Sequence, residues 1–216
     1  MKLLHIGCVV AAALSIGVTT PTPAESGVSV LLPPEPSPLP LRWEFDLRIG
    51  PLRLATIPDD QGVSRSYFYL TYAVTNRTGE DRPFTPSWTL TTDTGRVYRS
   101  GRGVPMEATR RLVEAQDNPY LEDQISILGR LQQGRINAKE GIVVWPAQDL
   151  TIDELRVYAS GFSGESTRLT TIDPETGQEQ QFVLRKTRMV RYEVPGNLFN
   201  ASGREIKPTE FRWIMR

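Results

Sequence analysis

The feature that most constrains the fold of this chain is a regular alternation of apolar and charged side chains. In residues 41–49 the odd positions are apolar and the even positions are charged. Residues 66–75 also alternate, and the side chains expected on their buried face are Phe68, Leu70, Tyr72 and Val74. Because successive side chains of a strand point to opposite faces, both segments are predicted to be β-strands with one face in a core.

Turn sequences separate further strand-like segments along the chain. Residues 92–95 and 173–177 both have the composition of hairpin turns. Further strands are expected at residues 84–91, 97–98, 141–145, 153–160, 167–172, 178–192 and 211–215. About nine strands, with a turn roughly every ten residues, predict a mainly β fold of the immunoglobulin-like antiparallel β-sandwich type.

One segment, at about residues 105–134, lacks this alternation and is expected to be a helical insertion. A first helix is predicted over residues 106–116, which are rich in helix-forming residues and are followed by Asn118-Pro119. A second helix is predicted over residues 120–132. Its apolar residues at helical spacing are Leu121, Ile125, Leu128 and Leu131.

The first 24 residues have the layout of a secretory signal peptide. Lys2 precedes an apolar run at residues 3–18, and Ala24 lies at the expected cleavage point. No later segment approaches the roughly 20 apolar residues that a transmembrane helix needs. We therefore expect a periplasmic or secreted protein, with no transmembrane segment after cleavage.

The signal sequence is followed by a proline-rich segment and then by the expected folded domain. Residues 25–40 are predicted to be a linker, because the prolines at residues 33–40 favour an extended polyproline II conformation. Residues 41–216 are predicted to form the single β-sandwich domain.

Cleavage would also remove the two most versatile catalytic side chains. The only histidine is His5 and the only cysteine is Cys8. Without them, a mature chain has no disulfide, no Ser-His or Cys-His catalytic pair and no Cys/His zinc site. The 25 basic and 25 acidic residues balance, so nucleic acid is not an expected partner. We expect no enzymatic activity and no cofactor.

Residues 69–79 (YLTYAVTNRTG) form a predicted strand that ends in Val-x-Asn, residues 88–98 (WTLTTDTGRVY) form a predicted hairpin, and residues 136–146 (INAKEGIVVWP) lead into an apolar strand. These three segments resemble the telokin-like immunoglobulin-fold domains of bacterial exported proteins of unknown function, which pair a strand ending in Val-x-Asn with a Leu-x-Asp-x-x-Gly hairpin. In the third segment, Ala138-Lys139 stands in place of the Pro-Gly of those domains. The resemblance covers roughly residues 41–162. It implies the fold and an extracytoplasmic location, and it brings no catalytic residues.

Carboxylates are the remaining candidates for catalysis. Glu44 and Asp46 share one face of a predicted strand and could form an acid/base pair of the glycosidase type, although a solvated strand face explains them better. Residues 173–179 are rich in oxygen ligands but lack the spacing of a calcium loop, so we interpret them as a hairpin turn. Residues 59–62 are likewise interpreted as a turn.

Basic and aromatic side chains are candidates for ligand binding. Residues 185–191 are the most basic run, but strand alternation separates its cations onto two faces, so a charge-guarded edge strand is expected. Most tryptophans fall on inward positions. Tyr67 and Tyr69 are the aromatic side chains that we expect to be exposed, and they are the candidate ligand-binding residues.

Three functional hypotheses follow. The first is a non-catalytic interaction or structural module that meets an unknown envelope or extracellular protein or polysaccharide. The second is a carbohydrate- or ligand-binding sandwich, which requires exposed, coplanar aromatic side chains. The third is a hydrolase that uses carboxylates alone, which requires two acids about 5 to 10 Å apart in a cleft.

Overall fold

The computed structural model describes residues 33–40, 42–59, 61–194, 196, 198–199 and 202–216. The expected signal peptide (1–24) and the first part of the expected linker lie outside the described residues.

The described strands are β1 (Asp46–Ile49), β2 (Leu52–Pro58), β3 (Ser64–Thr75), β4 (Arg82–Phe84), β5 (Ser87–Thr92), β6 (Val97–Arg99), β7 (Leu121–Glu122), β8 (Gly129–Leu131), β9 (Lys139–Pro146), β10 (Glu154–Ser160), β11 (Ser166–Ile172), β12 (Glu179–Glu193), β13 (Glu205–Ile206) and β14 (Pro208–Met215). Helix α1 spans Met106–Glu114, and a short 3-10 helix spans Arg135–Asn137.

The strands form two six-stranded sheets and a two-stranded ribbon. The first sheet has the order β13-β2-β3-β9-β7, and β1 also pairs with β3. The second has the order β11-β12-β10-β5-β6, and β14 also pairs with β12, while β4 and β8 form the ribbon. Every pairing between these strands is antiparallel except that of β7 with β9. The expected mainly β, antiparallel sandwich is confirmed.

An aromatic core fills the space between the two sheets. Tyr72 of the first sheet lies 4.6 Å from Trp88 of the second, measured between ring centroids. Phe162 makes edge-to-face contacts with Trp88 at 5.5 Å and with Phe84 at 5.5 Å. All of these side chains are buried. Because each buried aromatic side chain removes a large apolar area from water, this cluster is the main source of cohesion between the sheets.

The alternation of the sequence correctly predicted the inner faces of the long strands. Leu155, Val157 and Ala159 of β10 are fully buried, as expected. Strand β2 was not predicted, although Leu52 and Leu54 are buried in the same core. Its alternation is short and is flanked by Pro51 and Pro58, which hid it as a strand.

The prediction of a second helix over residues 120–132 is wrong. The segment instead forms turns between β7 and β8. Leu121 and Leu131 are buried because their strands pair with β9 and β4, so their helical spacing is incidental. Gly129 adopts a φ of 136°, which an α-helix does not allow.

Residues 33–40 of the expected linker belong to the folded unit, which spans Pro33–Arg216. The Ser37 amide donates a 2.8 Å hydrogen bond to Glu165 Oε1. Lys186 Nζ donates to the Ser37 carbonyl oxygen at 3.2 Å. This part of the proline-rich segment is therefore attached to the sandwich and is not a free spacer.

Lys186 is the centre of a buried ionic cluster. Its side chain is 2% exposed, and its Nζ lies 3.0 Å from Glu165 Oε2 and 3.1 Å from Glu44 Oε2. The contact with Glu44 is ionic only, because that oxygen has no donor in hydrogen-bonding geometry. The ammonium also lies 5.5 Å from the ring centroid of Trp213. The cluster joins the N-terminal segment to the second sheet.

The contacts within this cluster favour the charged forms of Lys186 and Glu165. Burial alone would lower the pKa of Lys186, but the hydrogen bond to Glu165 and the two carboxylate charges outweigh burial and raise it. Burial alone would raise the pKa of Glu165, but hydrogen bonds from Ser37 and Lys186 outweigh burial and lower it.

Replacing the buried cation should destabilise the fold. Lys186→Met leaves two partly buried carboxylates without their counter-ion, so we expect the free energy of unfolding at neutral pH to fall by about 3 kcal/mol. Urea denaturation followed by circular dichroism measures this loss. Arg168→Met, an exposed substitution in β11, is the matched control and should change stability by less than about 0.5 kcal/mol.

The loss should also depend on pH. Since the folded-state pKa of Glu165 lies below its ordinary value of 4.5, the stabilisation of its charged form is present above that pH. It disappears as the pH falls through the folded pKa. The difference between wild type and Lys186→Met should therefore shrink below about pH 4, and a difference that is constant from pH 7 to pH 3 would contradict this role.

Candidate partner-binding surface

Helix α1 forms a third layer that covers the outer face of the first sheet. Pro105 precedes its first turn with a φ of −60°, which suits a helix start, and Glu107 lies in the first turn. Ala108 and Leu112 are four residues apart and are buried on the same side of the helix. The apolar side of α1 therefore lies against the sheet.

The outer face of the sheet beneath α1 is apolar. Ala108 and Leu112 belong to a buried cluster with side chains from β3, β7 and β9. The members contributed by these strands are Tyr67, Tyr69, Leu121, Ile142 and Val144. This second core is separate from the aromatic core between the sheets, so β3 is buried on both faces.

The expectation that Tyr67 and Tyr69 are exposed is wrong. They are 3% and 7% exposed, because α1 covers them. Burial raises the pKa of the Tyr67 hydroxyl, against a smaller effect of the Arg65 charge. These side chains therefore stabilise the layer beneath α1 and provide no exposed aromatic platform.

A groove of about 720 Å³ lies between α1 and the loop that follows β7. Its apolar lining comes from both sides of the groove, namely Val104, Met106, Val113, Leu121 and Ile125. Its charged rim contains Arg110, Glu114, Glu122 and Asp123.

Large apolar side chains protrude around this groove. Met106 is 80% exposed and Ile125 is 65% exposed, although both line the groove. Tyr120, which directly precedes β7, is 79% exposed as well, although it does not line the groove. Apolar side chains grouped in this way on a folded surface are typical of a binding site.

Hydrogen bonds fix the loop that forms one wall of the groove. Asp123 Oδ1 accepts from the amides of Ile125 at 2.7 Å and Ser126 at 3.1 Å, and Asp123 Oδ2 accepts from Ser126 Oγ at 2.7 Å. Partial burial acts to raise the pKa of Asp123, but these hydrogen bonds outweigh it and lower the pKa. The carboxylate therefore stays charged and holds the loop that presents Ile125.

Close packing at Gly101 helps to position the same loop, which forms one wall of the groove. Gly101 has a φ of 71°, and a Cβ at this position would lie 1.5 Å from Gln124 Nε2. Only glycine allows the Gln124 side chain to approach the backbone in this way.

Each of the two candidate catalytic carboxylates contacts a cation. Glu44 contacts Lys186, and Asp46 Oδ2 lies 3.0 Å from Arg77 Nε. Each carboxylate thus has a cation of its own. Among the residues that the structure describes, no group of three His, Cys, Asp or Glu side chains could hold a metal ion.

The described residues of both oxygen-rich segments lie in turns, as predicted. Asp173 Oδ1 accepts from the amides of Glu175 and Thr176 within the turn between β11 and β12. Asp59 Oδ1 accepts from the amides of Gln61 and Val63.

The basic run at residues 185–191 is divided as the alternation predicted. Lys186 is buried, whereas Arg185 is exposed. Arg191 forms an ion pair with Glu154. However, β12 pairs with strands on both sides over this run, so the expectation of an edge strand is wrong.

In the described part of the chain, no helix is both long and apolar enough to cross a membrane. Comparisons with known protein families, characterised proteins and solved structures found no match to this chain.

The groove was not recognised from the sequence. Ile125 was assigned to the buried side of a helix that does not form, and Met106 was counted only as a helix former. The useful signal was the irregular segment at residues 118–129, where apolar residues accompany turn-forming residues such as Asn118, Pro119 and Asp123.

Two side-chain truncations should distinguish a residue that anchors α1 to the sheet from a residue that lines the exposed groove. Leu112 is 3% exposed, so Leu112→Ala should lower the free energy of unfolding by about 2–4 kcal/mol. Met106→Ala should change it by less than about 0.5 kcal/mol, because its side chain is exposed. Urea denaturation measures both. Equal losses would show that α1 does not cover the sheet as described.

Proposed function

We propose that this chain is an exported, non-catalytic β-sandwich module of the bacterial cell envelope, and that it binds a protein partner through the α1 groove. The observation that carries the proposal is the exposure of Met106 and Ile125, two large apolar side chains that line one groove. A monomer gains nothing from leaving these side chains in water, whereas a partner would bury them.

Burial of the exposed apolar side chains of the groove would contribute to binding. Full burial of Met106 and of Ile125 contributes roughly 1.5–3 kcal/mol each. Together they would offset part of the cost of association, which is roughly 4–15 kcal/mol. The fixed loop adds to this, because a wall that is already ordered loses little conformational entropy on binding.

The charged rim favours a partner that places polar side chains around an apolar centre. Arg110 donates to both Glu107 and Glu114, so the exposed side of α1 carries ordered charges. The Arg110 and Arg111 guanidiniums lower the pKa of the Glu107 carboxyl, which stays charged at neutral pH. An apolar centre inside a charged rim is the usual arrangement of a protein-protein interface.

Export is supported by the signal-like N-terminus and by the composition of the remaining chain. The sequence after residue 24 contains no cysteine, so the folded domain needs no particular redox environment. Its stability comes instead from the two apolar cores and the Lys186 cluster.

The test compares a groove variant with a control that carries the same chemical change elsewhere. Residues 25–216 are immobilised as wild type, as Met106→Asp/Ile125→Asp, and as Ile172→Asp/Val183→Asp. The control residues are 71% and 59% exposed and lie in the hairpin of β11 and β12. Proteins retained from envelope extracts are then identified by mass spectrometry, after thermal melting has shown that all three forms are folded.

We expect a partner that wild type and the hairpin control retain and that the groove variant loses by at least tenfold. Retention of the same proteins by all three forms, or of none by wild type, would contradict the proposal.

A further inference from the structure

A second groove, of about 460 Å³, lies on another part of the sandwich, where β1 meets β12 and β14. Its lining includes Glu44, Asp46 and Trp213, together with four arginines. None of these residues lines the α1 groove.

Four arginines line this second groove. They come from β1, from the residues after β3, from the 3-10 helix and from β12, and they are Arg48, Arg77, Arg135 and Arg188. Four guanidiniums from four segments, distant in sequence, are thus brought to one concave surface. Arginine presents a planar fork of donors that matches the oxygens of a carboxylate or a phosphate.

The acidic residues of the groove do not neutralise it. Glu44 is engaged by Lys186, and Asp46 by Arg77. Within the described residues, Arg48, Arg135 and Arg188 form no ion pair. Three arginines without an ion pair therefore remain around the groove, and the Glu44 charge acts on one of them, Arg188, at longer range.

Arg188 is the most strongly positioned of the four. Its guanidinium carbon lies 5.3 Å from the ring centroid of Trp213 and 5.5 Å from that of Phe211. The side chain is half-buried, and burial lowers its pKa, although an arginine remains charged at neutral pH. A partly desolvated guanidinium held on aromatic rings is ordered before a ligand arrives, which favours binding of an anion.

We propose that this groove binds a small ligand through an oxyanion, either a carboxylate or a phosphate group, with Arg188 as the central contact. Arg48 and Arg135 contribute further donors from the rim. The ligand is one small group and not an extended polyanion, because the neighbouring cations of β12 do not add to the site. Lys186 and Arg191 both have carboxylate partners. This site is independent of the α1 groove.

The test uses two probes that both carry an oxyanion, one as a phosphate and the other as the carboxylate of a sugar acid. Uniformly labelled residues 25–216 are titrated with inorganic phosphate and with D-galacturonate, and D-galactose is the uncharged control. Amide and arginine Nε–Hε signals are followed by NMR at constant ionic strength, because binding through arginines weakens as salt rises.

The expected result is saturable shifts of the Arg188 signal with phosphate, with galacturonate or with both, and none with galactose. The responding probe identifies the source as phosphate or sugar acid. Arg188→Gln and, separately, Arg135→Gln should each weaken binding at least fivefold. Because Arg135 is exposed, the Arg135→Gln variant should fold even if the Arg188→Gln variant does not. The Arg135→Gln variant can then test the proposal by itself.

Arg168→Gln, in the exposed part of β11, should leave binding unchanged. Shifts that do not saturate with either anion, or that are the same in wild type and in the Arg135→Gln variant, would overturn the proposal.

Discussion

Strand β3 carries large apolar side chains on both faces, and neither face can be left in water without a large loss of stability. One face meets the second sheet, where Tyr72 packs against Trp88. The other face carries Tyr67 and Tyr69 and requires a cover, which α1 provides with Ala108 and Leu112. The third layer, and with it the groove at its edge, thus follows from the composition of one strand. The side chains of α1 that do not face β3 remain exposed, so a partner can contact them.

A second constraint is the way the N-terminal segment is held. Burying Lys186 would be unfavourable without compensation, and Glu44, Glu165 and the Ser37 carbonyl oxygen supply it. The same cluster borders the arginine-lined groove, because Glu44 pairs with Lys186 and also lines the groove. The Glu44 charge acts on Arg188 as well, without forming an ion pair with it.

The sequence predicted those parts of the fold whose signal is local. Alternation located the buried faces of β3 and β10, and turn chemistry located the hairpins around residues 92–95 and 173–177. The sequence-based prediction failed where a segment distant in sequence determines whether a side chain is buried or exposed. The cover over Tyr67 comes from a helix some forty residues later, so exposure could not be read from β3 alone. Apart from the irregular segment at residues 118–129, neither groove has a local signal, since Met106 and Ile125, like Arg48 and Arg188, meet only in the folded chain.

We propose that the exposed apolar groove beside α1 contacts another protein in the compartment where the chain works. Site-specific photo-crosslinking in the producing cells tests this contact, with a benzophenone amino acid placed at position 125 or at position 172. We expect a discrete crosslinked protein from position 125 and none from position 172, although both side chains are exposed. The same products from both positions, or no crosslinked product from position 125, would contradict it.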